Sequence, residues 1–451
     1  MREKNDMILL EITALSHEGS GIGRCEDGTA VFVPNSAPGD QLQVRITKRL
    51  SRYCYGRIEQ IVTPSPARVP PACPAFPRCG GCTLRHIHYD TQLQIKQKWL
   101  AENMRRIGGV TLDWEPIIPS PLAERYRNKA QFPVRLVNGE VRTGFFAPRS
   151  HRLIPVDDCL LQPAQFSQIA RVVCDFLAEY QISPYDEITH RGLVRHLFLR
   201  QTADGGVLVC LVINGKKLPH WGALWEKLQA TGLDIRTLVL NHNTQKTNVI
   251  TGQKQSILAG AGNLTDTLCG VSLNISPTSF YQVNHAAAEL LYAQALQYAA
   301  PKATDILLDL YCGTGSIGLS MAGHVGELIG VEIVEAAVED ARENARRAQI
   351  HNARFLCADA ADAARQLSAQ GLRPNIVVLD PPRRGADEAT LKSIAAMAPD
   401  KLVYISCNSA TLARDSKFLA ELGYRATRGR AVDLFPQTVH TEAVVAFARS
   451  E

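Results

Sequence analysis

Apolar and polar residues alternate at the start of the chain in short runs: LLEITAL, SGIGR, EDGTAVFVP, DQLQVRITKRL and YCYGRIEQIV. A period of two turns one face inward and one to water. Short strands at this spacing predict a small antiparallel β-barrel. A proline-rich break, TPSPARVPPACPAFP, follows. YDTQLQIKQKWLAENMRRIGGV predicts a helix stopped by Gly108 and Gly109. The next stretch, to about residue 270, mixes strand and helix patterns without a repeat. From about Ile275 the pattern changes. Buried-type runs (DILLDLY, ELIGVEIV, ARFLCAD, NIVVLD, KLVYISC) alternate with helical ones (IGLSMA, AAVEDARENARRAQ, EATLKSIAAM). This alternation predicts a doubly wound parallel sheet, whose ligands lie outside the carboxyl ends of its strands. The expected architecture is multidomain α/β. It comprises an OB-like barrel at 1–62, an α+β central domain at 63–275 and a Rossmann-like domain at 276–451.

With 451 residues, 45% hydrophobic and 21% charged, the chain is long and apolar enough to bury sizeable cores, which excludes a disordered protein. No run approaches the ~18 apolar residues of a membrane span. MREKNDMILLEI lacks a secretory core, so a cytoplasmic location is expected, with no membrane partner. In a reducing compartment the 12 cysteines suggest free thiols, metal ligands or a nucleophile rather than disulfides. The net charge of +5 says little; its distribution says more. Residues 121–152 carry seven Lys/Arg against two Glu, with Tyr126, Phe132, Phe145 and Phe146 interleaved, and residues 45–57 carry five basic residues and no acid. Cations meet phosphates and aromatics stack on unpaired bases, so RNA is the expected partner, with Arg127, Lys129 and Arg149 touching it. No obligatory protein partner is evident.

LLDLYCGTGSIGLSMA ends a strand and opens a helix. Gly313, Gly315 and Gly318 form G-x-G-x-x-G, which permits a tight turn and close backbone approach of a nucleotide. Glu332 ends the next strand, where a carboxylate suits the two hydroxyls of a ribose. Asp309 at the first strand's end favours S-adenosylmethionine over NAD, and Asp359 is placed to meet the adenine. Asp380 follows NIVVL and is held by Pro381 and Pro382. Cys407 tips the strand KLVYIS, and Glu442 stands before an apolar closing strand. A methyl donor beside a thiol fits methylation at C5 of a pyrimidine. C5 becomes nucleophilic only after a thiolate adds at C6, and a carboxylate must later remove the C5 proton.

DPPRRG, SCNSAT, FPQTVHTE and FYQVN (residues 280–284) resemble the motifs of the RNA uracil-C5 methyltransferase family. The likeness covers nearly the whole chain, since the barrel resembles the TRAM domain of ribosomal members. The resemblance implies Cys407 as nucleophile and Glu442 as base, with Asp380 catalytic and also a cofactor contact. It implies S-adenosylmethionine contacts at Gln282, Tyr311, Ser316, Glu332, Asp359 and Asp380, beside Gly313 and Gly315. Ser409 stands where the family usually has proline. CPAFPRCGGC spaces Cys73, Cys79 and Cys82 as C-x5-C-x2-C, which suggests a metal or an iron–sulfur cluster. The resemblance implies a [4Fe–4S] cluster with Cys159 as fourth ligand. Zinc, with His86 or His88, is the alternative. Within the family a TRAM domain plus cluster points to 23S rRNA, with tRNA as the alternative. Two other classes are an NAD-linked iron–sulfur oxidoreductase, which leaves Cys407 and Glu442 without roles, and a non-catalytic RNA-binding protein.

Overall fold

The computed structural model describes residues 3–450. Residues 1 and 2 of the expected barrel and residue 451 of the expected Rossmann-like domain lie outside them. Two compact units emerge. One comprises residues up to Trp99 with Phe146–Ile154 and Phe435–Thr441; the other holds the rest.

In the first unit, strands Met7–Leu15, Gly21–Arg24, Ala30–Val33, Gln41–Arg49 and Tyr53–Thr63 close into a barrel. The alternation works as expected: Leu10, Ile12, Val31, Val33, Leu42, Val44 and Ile46 fill the interior. Gly56 is required by packing, since a Cβ there would lie 2.3 Å from Val44. One expectation is corrected. Ala30–Val33 pairs with Tyr53–Thr63 in parallel, so the barrel is not wholly antiparallel. Period-two alternation places side chains identically in both pairing senses and could not distinguish them.

The second unit holds the central and C-terminal cores. A central sheet runs Lys254–Ala259, Ile235–His242, Val207–Ile213, Val194–Gln201, Lys129–Val137, Glu140–Phe146. Helices Ala164–Glu179 and Trp221–Gln229 bury Phe166, Ile169, Val173, Phe176, Leu224 and Leu228 in the core of that sheet. An eight-stranded sheet runs Ala353–Cys357, Glu327–Glu332, Ile306–Leu310, Ile376–Leu379, Lys401–Ser406, Glu442–Arg449, Tyr424–Val432, Glu115–Ile118. Its first five strands in that order are parallel, as expected from their short, buried apolar runs. Glu442–Arg449 is antiparallel to both neighbours, so the sheet is mixed at that side. From Ile306–Leu310 the chain winds outward one way through Glu327–Glu332 and Ala353–Cys357. It then returns to Ile376–Leu379 on the other side. The switch point therefore lies between Ile306–Leu310 and Ile376–Leu379, where a crevice opens at the strand carboxyl ends. Among the described residues no helix is long and apolar enough to cross a membrane.

Candidate active site

The glycine turn is braced from beneath. Asp309 is fully buried, and its Oδ2 accepts the Gly318 amide at 2.9 Å. Its Oδ1 is buried without a partner. Burial pushes this carboxyl to about 8, the Gly318 amide opposes the rise, and Asp380 and Glu332 add to it. Gly318 has no room for a side chain, since a Cβ would lie 2.7 Å from Asp309 Oδ2 and 2.8 Å from Leu328. Gly315 caps helix Ser316–Met321 at φ +81°, a conformation that favours glycine. Nothing lies within 4 Å of a Cβ built on Gly313, so the loop's backbone is open to a ligand there. Glu332 Oε2 accepts the Gly313 amide at 3.1 Å and Oε1 the Val334 amide at 2.9 Å, which fixes this carboxylate beside the loop. An open glycine backbone with a fixed acid beside it suits a nucleoside.

The reacting tips stand on neighbouring strands. Ser406 pairs with Ala443. Cys407 is the next residue on one strand and Glu442 the preceding one on the other, so the thiol and the carboxyl occupy adjoining strand ends. Leu379 pairs with Tyr404, which sets Asp380 on the other side of the same strand. The Asp380 amide donates to the Leu310 carbonyl at 3.5 Å, tying it to the glycine-loop strand. Burial raises the Asp380 carboxyl to about 7. Glu442, 6% exposed, is raised well above the usual carboxylate range by burial and then by Asp380, with Arg383 opposing. Burial, then Glu442 and Asp380, push the Cys407 thiol to about 11, and Arg383 again opposes. Cys407 is therefore a thiol at neutral pH, and its ionisation needs a proton acceptor.

The Cys407 loop is rigidly made. Asn408 caps helix Ser409–Glu421 by accepting the Ala410 amide at 3.1 Å, and its Nδ2 donates to the Arg383 carbonyl at 3.0 Å. Ser409 opens that helix, where proline fits equally well because the N–H has no helical partner. Its Oγ accepts from Asn103 Nδ2 at 2.8 Å, so a hydrogen bond restrains the position where the family has a ring.

Other expected contacts stand in the same unit. The Tyr311 hydroxyl donates to Thr390 at 3.3 Å, and Ser316 Oγ shares a 2.9 Å bond with buried Tyr292. Asp359 caps helix Ala360–Ala369 through the Ala361 amide. Its strand ends beside Glu332, which pairs with Cys357. Gln282 is buried, and its carbonyl accepts from Asn128 Nδ2 at 2.9 Å. Asn284, the last residue of FYQVN, caps helix His285–Ala299 and holds the Ser120 hydroxyl and Leu434 carbonyl, a structural duty. Sequence reasoning gave no role to Arg383, the cation that faces both Cys407 and Glu442. The only available signal was its place in DPPRRG. Arg127 and Lys129 belong to this unit and Arg149 to the other.

Cys73, Cys79 and Cys82 are half-buried cysteines in the first unit. Burial raises Cys79, and Cys82 and Cys73 raise it further, which places the three in one neighbourhood. The Gly81 amide donates to Cys79 Sγ at 3.4 Å, a contact that suits a thiolate ligand. Cys159, also half-buried, belongs to the second unit. Among the described residues no group of three or more His, Cys, Asp or Glu is arranged to hold a metal. His86 Nε2 is 3.1 Å from the Ser36 carbonyl, so that nitrogen is occupied.

Sheet order, glycine turn and switch-point crevice define a methyltransferase fold. Residues 88–450 match the family model tRNA (Uracil-5-)-methyltransferase, and residues 2–58 match the TRAM domain. The chain belongs to this uracil-5 RNA methyltransferase family. An uncharacterized RNA methyltransferase of Halalkalibacterium halodurans is 40% identical over 443 residues, covering 98% of this chain and 96% of the relative. One from Listeria innocua is 40% identical over 98% of this chain and 97% of its own length. The crystal structure of Pyrococcus abyssi tRNA (uracil-54, C5)-methyltransferase with S-adenosyl-L-homocysteine is 26% identical, with a TM-score of 0.78, covering 98% of this chain and 100% of that one.

Proposed function

We propose that this chain transfers a methyl group from S-adenosylmethionine to C5 of an RNA uridine through a covalent Cys407–C6 adduct. The observation that carries this reading is the placing of Cys407 and Glu442 on adjoining antiparallel strand tips, with Asp380 beside them and the glycine turn one strand further. Asp380, balanced near neutrality, takes the thiol proton. The thiolate adds to C6, and the electron pair thereby placed on C5 attacks the methyl carbon, releasing S-adenosylhomocysteine. Glu442 removes the C5 proton, the C6–S bond breaks and the thiolate is restored. Arg383 favours the ionised form of Glu442 that this step needs. Glu332 and Asp359 bind the ribose and adenine. Tyr311, Ser316 and Gln282 line the methionine side. Barrel (1–62), central part (63–275) and catalytic part (276–451) divide RNA binding and chemistry, with Arg127, Lys129 and Arg149 meeting RNA.

Addition precedes methyl transfer and proton removal follows it, so two substitutions separate the steps. Glu442→Gln is expected to accumulate a methylated protein–RNA adduct on a denaturing gel, since loss of a general base costs about 10²–10⁴-fold. Cys407→Ala and the double variant are expected to give none. An adduct surviving in Cys407→Ala makes another thiol the nucleophile. Full turnover by Glu442→Gln removes Glu442 as base.

The RNA is proposed to be 23S rRNA, on the TRAM domain together with the Cys73, Cys79, Cys82 and Cys159 set as ligands of a [4Fe–4S] cluster. A tRNA target is the second reading, favoured by the full-length likeness to the Pyrococcus tRNA enzyme. Mapping 5-methyluridine in a deletion strain decides between them. Loss from 23S rRNA with tRNA unchanged is expected, and the reverse overturns the rRNA reading.

A further inference from the structure

Three cations stand together where the central sheet meets the segment that carries Gln282, and among the described residues no carboxylate pairs with them. Lys129 pairs with Arg200 across neighbouring strands. Its half-buried ammonium has no hydrogen-bond or ion-pair partner among the described residues. The charged groups facing it are the guanidiniums of Arg200 and Arg127, with no carboxylate among them. Arg127 has a buried Nε without a partner. Arg200, 3% exposed, is already committed, donating to the carbonyls of Pro277 and Ser279. Between the two available cations, Asn128 fixes the place. Its amide donates to the Val283 carbonyl at 2.8 Å, its Nδ2 donates to the Gln282 carbonyl, and its Oδ1 is buried without a partner. Burying cations together without a counter-charge is costly. The cost is recovered when an anion occupies the gap.

We propose that Lys129 and Arg127 seat one phosphodiester of the substrate RNA beside the nucleotide being methylated. This rests on the RNA methyltransferase reading. A polymer's phosphate fits better than the cofactor's carboxylate. Lys129 is half-exposed rather than sealed, and it lies in residues 121–152, whose seven cations against two acids draw a polyanion along the surface. The hydrogen bonds of Asn128 place this seat next to Gln282, which the proposed function puts at the cofactor. Arg149, in the other unit, is not part of it.

Fluorescence anisotropy with a uridine-containing single-stranded RNA oligonucleotide tests this, with S-adenosylhomocysteine titrated in parallel. Lys129→Gln and Arg127→Gln are each expected to weaken RNA binding about tenfold and lower the salt slope by about one, with S-adenosylhomocysteine affinity unchanged. The unchanged cofactor affinity also reports that the variants are folded. A neutral methylphosphonate walked along the RNA is expected to weaken binding to the wild type at one position, and to have no effect at that position in Lys129→Gln. Loss of S-adenosylhomocysteine affinity with RNA binding intact overturns the proposal and gives the seat to the cofactor. So does the lack of any methylphosphonate position coupled to Lys129. A wild type that binds S-adenosylhomocysteine and no RNA fails the RNA reading itself, whereas RNA binding indifferent to both substitutions fails this inference alone.

Discussion

Asp309, Asp380 and Glu442 share an upward shift, and in each burial is the first cause. Carboxyls raised this way stabilise the fold while protonated and cost stability as pH climbs from about 4 through the raised values. A cation entering the crevice favours their ionised forms and recovers part of that cost. S-adenosylmethionine carries a positive sulfur and S-adenosylhomocysteine a neutral one, so pH should separate their affinities. Near pH 6 Asp380, at about 7, and Asp309, at about 8, hold their protons and the two ligands are expected to bind alike. As both groups ionise toward pH 9, the preference for the cation is expected to grow about tenfold, one pKa unit's worth. Asp380→Asn should lose the part of the rise centred near 7. Calorimetry with both ligands checks this, and a ratio that stays flat in pH contradicts it. Individual side chains were legible where a motif fixed them: Cys407 and Glu442 stand on adjoining tips as their strand-end positions implied. Arg383 and Asn128 were not legible, because their partners are chosen by folding. Arg383 opposes charges two strands away, and Asn128 reaches the Gln282 carbonyl 154 residues along the chain.

Secondary structure was readable where burial alone decided it. ILLDL, IVVL and KLVYIS are nearly continuous apolar runs because both faces of a central strand are covered. Tyr424–Val432 escaped notice because Arg425, Arg428 and Arg430 break the apolar pattern on its open face. Glu115–Ile118 escaped because it is four residues long and contains Pro116. The glycine turn shows how closely strand and helix are fitted. Gly318→Ala puts a methyl group 2.7 Å from Asp309 Oδ2 and 2.8 Å from a Leu328 methyl, inside the contact limit, and both side chains are fully buried. Overpacking of this kind costs about 1–3 kcal/mol. Thermal unfolding is expected to show that loss, and S-adenosylhomocysteine binding should weaken as the turn shifts. Gly323→Ala in the same connection meets nothing within 4 Å and serves as the matched control. Equal melting temperatures for the two variants would remove the packing argument.

On the scale of the whole chain, what the sequence could not settle is which distant segments cooperate. Barrel and doubly wound sheet were visible as patterns and the central stretch only as a mixture of strand and helix, yet the first compact unit draws on three separate stretches of chain, which no local pattern announces. The cysteines pose the same problem. C-x5-C-x2-C is local and legible, whereas Cys159 lies far along the chain and is tied to the trio only through resemblance. Thiolates gathered in one loop repel one another, as the upward push of Cys82 and Cys73 on Cys79 records. A bound cation removes that repulsion, and four sulfur ligands to a cubane satisfy it most fully. Protein purified without oxygen is therefore expected to be brown and to carry about four iron and four sulfide per chain. Cys159→Ser should lose most of the iron while still binding S-adenosylhomocysteine, because the uracil chemistry needs no electron. Retained iron in Cys159→Ser would require a different fourth ligand. Stoichiometric zinc without iron would replace the cluster with a mononuclear site, to which His86 could offer only its Nδ1, its Nε2 being held by the Ser36 carbonyl.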